Sequence, residues 1–282
     1  MDAKRDKTHT APYRIHSPRG TPYGRETVAY WSFKPGGKLI VFVHGFKGAA
    51  ITTWIDFPGQ LTLNKATQGY DMIFFGYDSV TQTAGESAND LQTCINDLLF
   101  KSSEVFNKSA ENYDSDLRRP AGFCYDKLVL VGHSLGAVAI RAAMLAQLNG
   151  GKGSWPSATS IVLFAPAHKG AKIFRLLLAA TLGMDRVVAI GKGATFFAPV
   201  LKDLKEGSKY LDRLETETIR DCVKYPQLNA TKVFWRKKDK VVINDRFAND
   251  AMPAIEVPGA THISICKPIG YSDIVKDLLA EM

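Results

Sequence analysis

The stretch that most restricts how this chain can fold is 127–141, which reads KLVLVGHSLGAVAIR. Four apolar residues at 128–131 run directly into the pentapeptide GHSLG at 132–136, and small and apolar residues follow. This order predicts a buried strand, a sharp turn with Ser134 at its apex, and a helix that begins at once. A serine in such a turn sits in strained backbone, so that its Oγ projects above the sheet as a nucleophile.

The two glycines of the pentapeptide fit this interpretation. A Cβ at Gly132 or Gly136 would collide with the neighbouring strand or helix. The helix starts beside the serine, so its free N–H groups and the positive end of its dipole would lie next to an oxyanion. The alternative is an ordinary strand–helix turn in which Ser134 caps the helix. The rest of the chain has to decide between the two.

A second candidate element is the segment HGFKG at 44–48, which follows an apolar run at 38–43. That run predicts a strand buried on both faces. Beside a nucleophile turn of this kind, the loop after such a strand supplies one oxyanion N–H group, and the residue after the nucleophile supplies the other. The expected donors are therefore the backbone N–H groups of Phe46 and Leu135. His44 is better explained as a structural histidine that bonds nearby backbone than as a catalytic base.

Two further candidates lie in loops directly after predicted strands at 231–235 and 254–257. They are Asp239 and His262, and the chain order serine, aspartate, histidine is the one that accompanies a strand–turn–helix nucleophile. His262 would accept the Ser134 proton and return it to the leaving group, while Asp239 would orient the imidazole. The competing residues are His168 for the base, and Asp78, Asp245 and Asp250 for the acid.

Strand and helix patterns alternate along the chain. This alternation predicts an α/β fold with a mostly parallel central sheet, right-handed crossovers and flanking helices. The predicted strands are 27–33, 38–43, 71–78, 128–131, 160–164, 231–235 and 254–257, and the predicted helices, besides the one after Ser134, are 52–63, 87–106, 208–219 and 272–281.

Several segments together resemble the serine esterase/lipase branch of the α/β-hydrolases. They are IVFVHGFKG at 40–48 with a later Thr-Trp pair, FGYDS at 75–79, VGHSLG at 131–136, FAPAHKG at 164–170 and EGSKYLDRL at 206–214. Where that branch usually has TPHxG, this chain has APAHKG at 165–170. The resemblance spans about residues 38–265 and implies hydrolysis of carboxylic esters of lipid or acyl substrates. A thioesterase or acyltransferase would use the same triad, and a protein that only binds a ligand or partner could keep the same fold.

The chain is expected to divide into a basic N-terminal arm at 1–25 and an α/β-hydrolase domain at 26–282. The arm is rich in proline and glycine and is expected to be irregular. Residues 171 to about 225 interrupt the alternation, which predicts a cap inserted over the carboxyl ends of the strands. Its apolar stretches at 173–182 and 194–200 would either line an acyl-chain pocket or pack the cap against the body.

Composition restricts the partners and the compartment. The 282 residues carry a net charge of +8, spread along the chain without a nucleic-acid-binding motif, so we expect no nucleic acid as a partner. The basic surface either attracts anionic membranes at the periphery or only aids solubility. The four cysteines have neither zinc nor disulfide spacing, and no window resembles a signal peptide or a membrane span. We therefore expect a cytoplasmic protein with no metal and no cofactor.

Overall fold

The computed structural model of the protein describes residues 13–16, 27–101, 119–150, 154–172, 175, 198–268 and 273–281. Its strands are β1 (Tyr13–His16), β2 (Val28–Ser32), β3 (Lys38–Val43), β4 (Tyr70–Phe75), β5 (Lys127–His133), β6 (Ala158–Phe164), β7 (Lys232–Trp235) and β8 (Ile255–Glu256). They form an eight-stranded sheet in the order β1-β2-β4-β3-β5-β6-β7-β8.

The sheet is mostly parallel, as the alternating pattern predicts. Strand β2 runs antiparallel to both of its neighbours, β1 and β4. All other neighbouring pairs, from β4 to β8, are parallel. The parallel strands therefore share an amino edge, where they begin, and a carboxyl edge, where they end. Loops that leave these strands all start at the carboxyl edge, so their side chains can meet there.

The central strands read as continuous apolar runs because both of their faces are covered. Residues 39–43 of β3 and 128–131 of β5 have no exposed surface. Aromatic rings stack between strands that are direct partners in the sheet. Phe42 stacks on Phe74 with ring centroids 4.6 Å apart, and Phe164 stacks on Phe234 at 4.8 Å. These pairs lie near the carboxyl edge and give the loops above them a rigid base.

The described helices are α1 (Phe57–Thr62), α2 (Ala84–Phe100), α3 (Leu135–Gly150), α4 (Val200–Asp203), α5 (Lys209–Asp221) and α6 (Asp273–Leu279), with 3₁₀ turns at Lys65–Thr67 and Pro226–Leu228. Helix α3 packs against α2 and α5. Helix α2 begins three residues earlier than predicted because Thr83 and Glu86 form a capping box. The predicted extension of α2 to residue 106 lies largely outside the described residues.

The expectation of an irregular arm is wrong at one place, because Tyr13–His16 forms the edge strand β1. It pairs with β2 in the register Tyr13 to Ser32. An edge strand such as β1 pairs through backbone groups that almost any extended segment can offer, so its side-chain pattern carries little signal. The other residues of the predicted arm lie outside the described part of the chain.

Residues 198–225, the longest described part of the predicted cap, pack against the body. The Asp203 carboxylate accepts a hydrogen bond of 2.9 Å from the Ala84 N–H group at the start of α2. Lys169 and Glu215 form an ion pair of 2.6 Å. The predicted helix at 208–219 is present as α5, with Ser208 as its N-cap. Of the two apolar stretches, 173–182 lies almost wholly outside the described residues, as do residues 194–197 of the second.

Candidate active site

Ser134 lies at the turn between β5 and α3 with a φ of 53°. This left-handed conformation is strained for a residue with a Cβ. The flanking glycines are required by space. A Cβ on Gly132 would lie 2.8 Å from Ile140 Cδ1 of the helix, and one on Gly136 would overlap the carbonyl oxygens of Val43 and His44 at the end of β3. The predicted strand, strained turn and helix are confirmed.

Backbone hydrogen bonds hold this strained turn in place. The Ser134 N–H group donates to the Phe164 carbonyl at 3.0 Å, and the Ser134 carbonyl accepts from the Ala167 N–H group at 3.2 Å. Both partners belong to the segment FAPAHKG that follows β6. This segment therefore supports the serine from the neighbouring strand, which explains why a residue other than glycine can stay at a positive φ.

The structure brings together the three residues that the sequence selects. His262 Nε2 lies 3.0 Å from Ser134 Oγ, and His262 Nδ1 lies 3.0 Å from Asp239 Oδ2. An ionised carboxylate only accepts hydrogen bonds, so Nδ1 carries the proton and Nε2 is left to accept from the serine hydroxyl. The His262 side chain is 5% exposed and the Asp239 side chain is fully buried. This tautomer is the one that a general base for Ser134 requires.

Asp239 is oriented by its own loop. Its Oδ1 accepts hydrogen bonds from the Val241 and Val242 N–H groups at 2.7 and 3.2 Å, while Oδ2 faces the imidazole. Burial alone would raise the pKa of this carboxyl. The hydrogen bond and the charge of His262, together with the two backbone donors, outweigh burial and lower the pKa below its ordinary value. Asp239 is therefore held as a carboxylate that faces His262.

The HGFKG loop passes directly beside the nucleophile. A Cβ added to Gly45 would lie 3.0 Å from Ser134 Cβ, which is tighter than an ordinary contact, so a larger residue would press on the nucleophile. Within the described part of the chain, the Phe46 N–H group has no hydrogen-bond acceptor. Leu135 is the first residue of α3, so its N–H group has no acceptor inside the helix. Each of the two segments that flank Ser134 thus offers a backbone donor.

Two side chains that follow β4 support this loop, and sequence reasoning did not assign them. The Tyr77 hydroxyl donates to the His44 carbonyl at 2.7 Å. Ser79 Oγ accepts from the Lys47 N–H group at 2.9 Å. Both belong to the segment FGYDS, which the sequence marks only through its family resemblance. The loop beside Ser134 is therefore held from the adjacent strand.

His44 is a buried histidine that bonds backbone, as its position at a strand end predicts. Its Nδ1 donates to the Gly45 carbonyl at 2.8 Å, and its ring stacks on Tyr77 with centroids 4.4 Å apart. Burial lowers its pKa to about 4. His44 is therefore neutral at physiological pH, and its contacts help to hold the conformation of the loop.

The competing candidates have other partners. His168 Nε2 lies 3.0 Å from the Ala137 carbonyl, and its ring stacks on Phe247. Asp250 forms a buried ion pair of 2.7 Å with Arg141. Asp78 accepts hydrogen bonds from residues 80 and 81 of its own turn, and Asp245 accepts one from the next backbone N–H group. These contacts all go to residues other than Ser134 and His262.

Comparison with known proteins bears on the fold and on the broad class of this chain. Residues 34–154 match the model of a family described as "Putative serine esterase (DUF676)", a segment that contains both the HGFKG loop and the Ser134 turn. Crystal structures of the lipase BlEst2 from Bacillus licheniformis superpose with a TM-score of 0.51 at 16% sequence identity, and the alignment covers 96% of this chain. The chain has the α/β-hydrolase fold. The family match supports a serine hydrolase.

The share of each chain that the alignment covers differs between these solved structures. This chain covers 99% of the mature BlEst2 chain but 54% of its propeptide form. The phospholipase PlaB from Legionella pneumophila aligns over 71% of this chain and 39% of its own, with a TM-score of 0.48 and 19% identity. Among curated proteins, none matches the sequence.

In the described ranges, no set of three or more histidine, cysteine, aspartate or glutamate side chains is arranged to hold a metal ion. The helices within those ranges are all too short or too polar to cross a membrane.

Proposed function

We propose that the protein is a serine hydrolase that cleaves carboxylic esters of lipid or acyl substrates through an acyl-enzyme. In this proposal Ser134 is the nucleophile, His262 the general base and acid, and Asp239 the residue that holds the imidazole. The backbone N–H groups of Phe46 and Leu135 form the oxyanion hole. No metal or cofactor takes part in these steps.

The reaction would proceed in two halves. Ser134 Oγ attacks the ester carbonyl carbon while its proton moves to His262 Nε2, and the carbonyl electron pair becomes an oxyanion. When this intermediate collapses, the bond to the alcohol breaks, and the alcohol leaves with the proton from His262. Water then attacks the acyl carbon while its proton moves to His262. When this second intermediate collapses, the bond to Ser134 Oγ breaks, His262 returns the proton to Oγ, and the carboxylic acid is released. Two backbone donors at the oxyanion stabilise both intermediates.

One observation carries the proposal. Three side chains from residues 134, 239 and 262 meet in a continuous hydrogen-bonded chain, with both links at 3.0 Å. The serine of this chain is the strained residue of the turn. A protein that only binds a ligand has no need for this arrangement, so the geometry favours catalysis over a silent fold.

The test uses a fluorophosphonate probe, which labels an activated serine covalently. We expect the wild type to be labelled and Ser134→Ala to be unlabelled. Turnover of p-nitrophenyl esters over a series of acyl-chain lengths then identifies the acyl group, and thioester and acyl-transfer assays separate those two alternatives. A wild-type protein that takes no label and cleaves no ester would support the binding alternative instead.

The partner that we propose besides the substrate is an anionic membrane surface. Asp239 lies in the run RKKDK at 236–240, and its buried side chain leaves Lys237, Lys238 and Lys240 exposed around it. None of these three lysines has an ion-pair partner among the described residues. The Arg175 guanidinium adds a further cation, at 3.4 Å from the Lys240 carbonyl. These cations lie at the carboxyl edge, where we propose that the substrate enters.

Vesicle binding tests this partner. Replacing Lys237, Lys238 and Lys240 with glutamine should weaken binding to phosphatidylglycerol vesicles on the order of a hundredfold, since each lysine near such a surface contributes about 1 kcal/mol. The matched control replaces three exposed lysines at the amino edge, Lys34, Lys65 and Lys224. Equal losses of vesicle binding in the two variants would mean that binding depends on the total charge and not on these three lysines. No loss in either variant would mean that the charge only aids solubility.

The domain organisation also remains a proposal. We place the hydrolase domain at 26–282, with an insertion at about 171–225 whose apolar stretches face the acyl chain. Limited deletion within the insertion should change the preferred chain length while probe labelling of Ser134 persists. An unchanged chain-length profile would mean that these stretches only pack the insertion against the body.

A further inference from the structure

His133, the residue before the candidate nucleophile, makes a direct contact with the residue that carries the candidate base. Its Nε2 lies 2.8 Å from the carbonyl oxygen of His262, and the two imidazole centroids are 5.1 Å apart. A carbonyl oxygen only accepts, so His133 Nε2 carries a proton and donates it. The backbone of His262 is thereby tied to the end of β5.

His262 is consequently held at three points. His133 binds its backbone carbonyl, Asp239 binds Nδ1 of its ring, and the Ser134 hydroxyl faces Nε2. Contacts to the imidazole alone fix the direction in which the ring points, but they leave the backbone of His262 able to shift. A hydrogen bond to the His262 carbonyl removes that freedom, and its donor is His133, the residue next to Ser134.

We infer that His133 is a positioning residue, which fixes the backbone of His262 so that its imidazole stays within hydrogen-bond reach of Ser134. The inference rests on the proposed function, because it assigns a role within that same site. His133 itself touches no reacting atom.

Most of the other hydrogen bonds of the turn that carries His262 stay within the turn, while Ile265 and Cys266 at its end pack into the core. The Thr261 N–H group donates to Ser264 Oγ at 2.8 Å, and the Ile265 N–H group donates to the Thr261 carbonyl at 3.0 Å. These bonds shape the turn but do not attach it to the sheet. The His133 bond does attach it, and a misplacement of about 1 Å at a catalytic group can lower the rate about a hundredfold.

The state of His133 suits this role. Burial, and next the charge that His262 can carry, lower the pKa of His133 to about 3. A neutral imidazole at this distance does not oppose the positive charge that His262 takes up when it accepts the serine proton. The bond therefore persists through the reaction cycle without an added cation beside the base.

The simpler alternative is that His133 only satisfies a buried carbonyl, and the chain contains a matched residue for comparison. His168 is also buried, its pKa is also lowered to about 3 with burial as the main cause, and its Nε2 also faces a backbone carbonyl, that of Ala137 at 3.0 Å. The two histidines differ in which residue they hold. His168 holds helix α3, and His133 holds His262.

The experiment combines this control with a double-mutant cycle. We expect His133→Leu, which lacks the donor, to lower kcat about tenfold to a hundredfold with KM little changed. His133→Gln supplies an amide N–H group in its place and should restore most of the lost kcat. His168→Leu should lower kcat much less than His133→Leu does, because His168 holds helix α3 and not His262. In a His262→Ala background, His133→Leu should have no further effect on the residual rate, because the imidazole that it positions is gone.

The outcomes separate the inference from the proposed function. If wild type takes no fluorophosphonate label, the proposed function itself fails. If wild type is active and His133→Leu keeps the wild-type kcat, the positioning role is wrong. The same conclusion follows if His133→Leu lowers the rate equally in both backgrounds, since that loss would reflect general damage to the fold. If His133→Leu does not fold, His133→Gln is compared with His133→Asn, whose shorter side chain places its amide differently. Equal kcat values for these two variants would contradict the inference.

Discussion

The two edges of the sheet use the same left-handed backbone conformation but fill it with different residues. At the amino edge, Gly37 before β3 and Gly69 before β4 have φ values of 70° and 96°. At the carboxyl edge, Lys47, Ser134 and Ala165 have φ values between 41° and 53°. Glycine adopts this conformation without strain, whereas residues with a Cβ do not. The strained residues named here therefore lie at the edge that carries the candidate site, although two glycines at that edge, Gly170 and Gly259, also adopt this conformation.

The two edges also differ in the partner of their buried acid, which is an arginine at the amino edge and a histidine at the carboxyl edge. At the amino edge, Asp71 accepts two hydrogen bonds of 2.7 and 2.8 Å from Arg119, and one of 2.7 Å from Tyr125. At the carboxyl edge, Asp239 faces His262. Arginine keeps its proton at any accessible pH, so its pair with Asp71 can only hold the structure. An imidazole can take up and release a proton, so its pair with Asp239 can serve a reaction.

The largest expected effect separates activity from stability at the carboxyl edge. Ser134→Ala should lower ester hydrolysis by about 10⁶-fold, because the nucleophile and its base act as one unit. The melting temperature should change little, since alanine keeps the strained backbone and the backbone bonds of the turn. Steady-state kinetics and a thermal melt of the same preparation measure both quantities. A variant with near wild-type turnover would exclude Ser134 as the nucleophile.

The opposite pattern is expected at the amino edge. Arg119→Leu should lower the free energy of unfolding by about 3–5 kcal/mol, because it leaves the buried Asp71 carboxylate without its cation. Urea unfolding measures this loss, and Tyr125→Phe provides a milder control that removes one hydrogen bond. The kcat of the folded fraction should not change. A fall in kcat would mean that the two edges are coupled, so that the ion pair at the amino edge also affects catalysis.

The carboxyl edge should also be the acid-sensitive one. His44, His133 and His168 all have folded pKa values of about 3 to 4, lowered mainly by burial. Below pH 6.5 the unfolded chain binds protons that the folded protein does not, so stability is complete above that pH. It is then lost as the pH falls towards the folded pKa values. Each histidine should remove about 1.4 kcal/mol per pH unit, or about 2 kcal/mol at pH 5.

Chemical unfolding of wild type and His168→Leu at pH 7 and pH 5 tests this expectation. The variant lacks one of the three groups, so its stability should fall by about 2 kcal/mol less between the two pH values. Identical losses would place the acid sensitivity elsewhere in the chain.

The smallest effect compares the strained backbone positions directly. Gly37→Ala should destabilise the protein by about 1–2 kcal/mol, because alanine must adopt a φ of 70° there. Lys47→Gly, at the other edge, relieves strain but adds freedom to the unfolded chain, so its net effect should be much smaller. Unfolding in urea measures both variants. Equal destabilisation by the two substitutions would remove the distinction between the edges.

Local pattern predicted much of this molecule. The central strands and the Ser134 turn follow from short-range sterics and apolar periodicity, and the observed bounds lie close to the predicted ones. The edge strand β1 did not follow, because pairing at an edge depends on backbone groups that every residue carries. The pair of Asp71 and Arg119 also did not follow, since 48 residues separate the two partners and nothing in either local pattern names the other.

By itself, the sequence determined that a serine would stand in a strained turn between a buried strand and a helix. The reason is steric, since glycine at 132 and 136 is what the neighbouring atoms allow. Only the tertiary structure decided which acid and which histidine come within 3.0 Å of one another and of that serine. Several aspartates and histidines follow strands in this chain. Which of them meet depends on the order of strands in the sheet and on the loops above its carboxyl edge, and these are long-range properties that no single stretch of sequence contains.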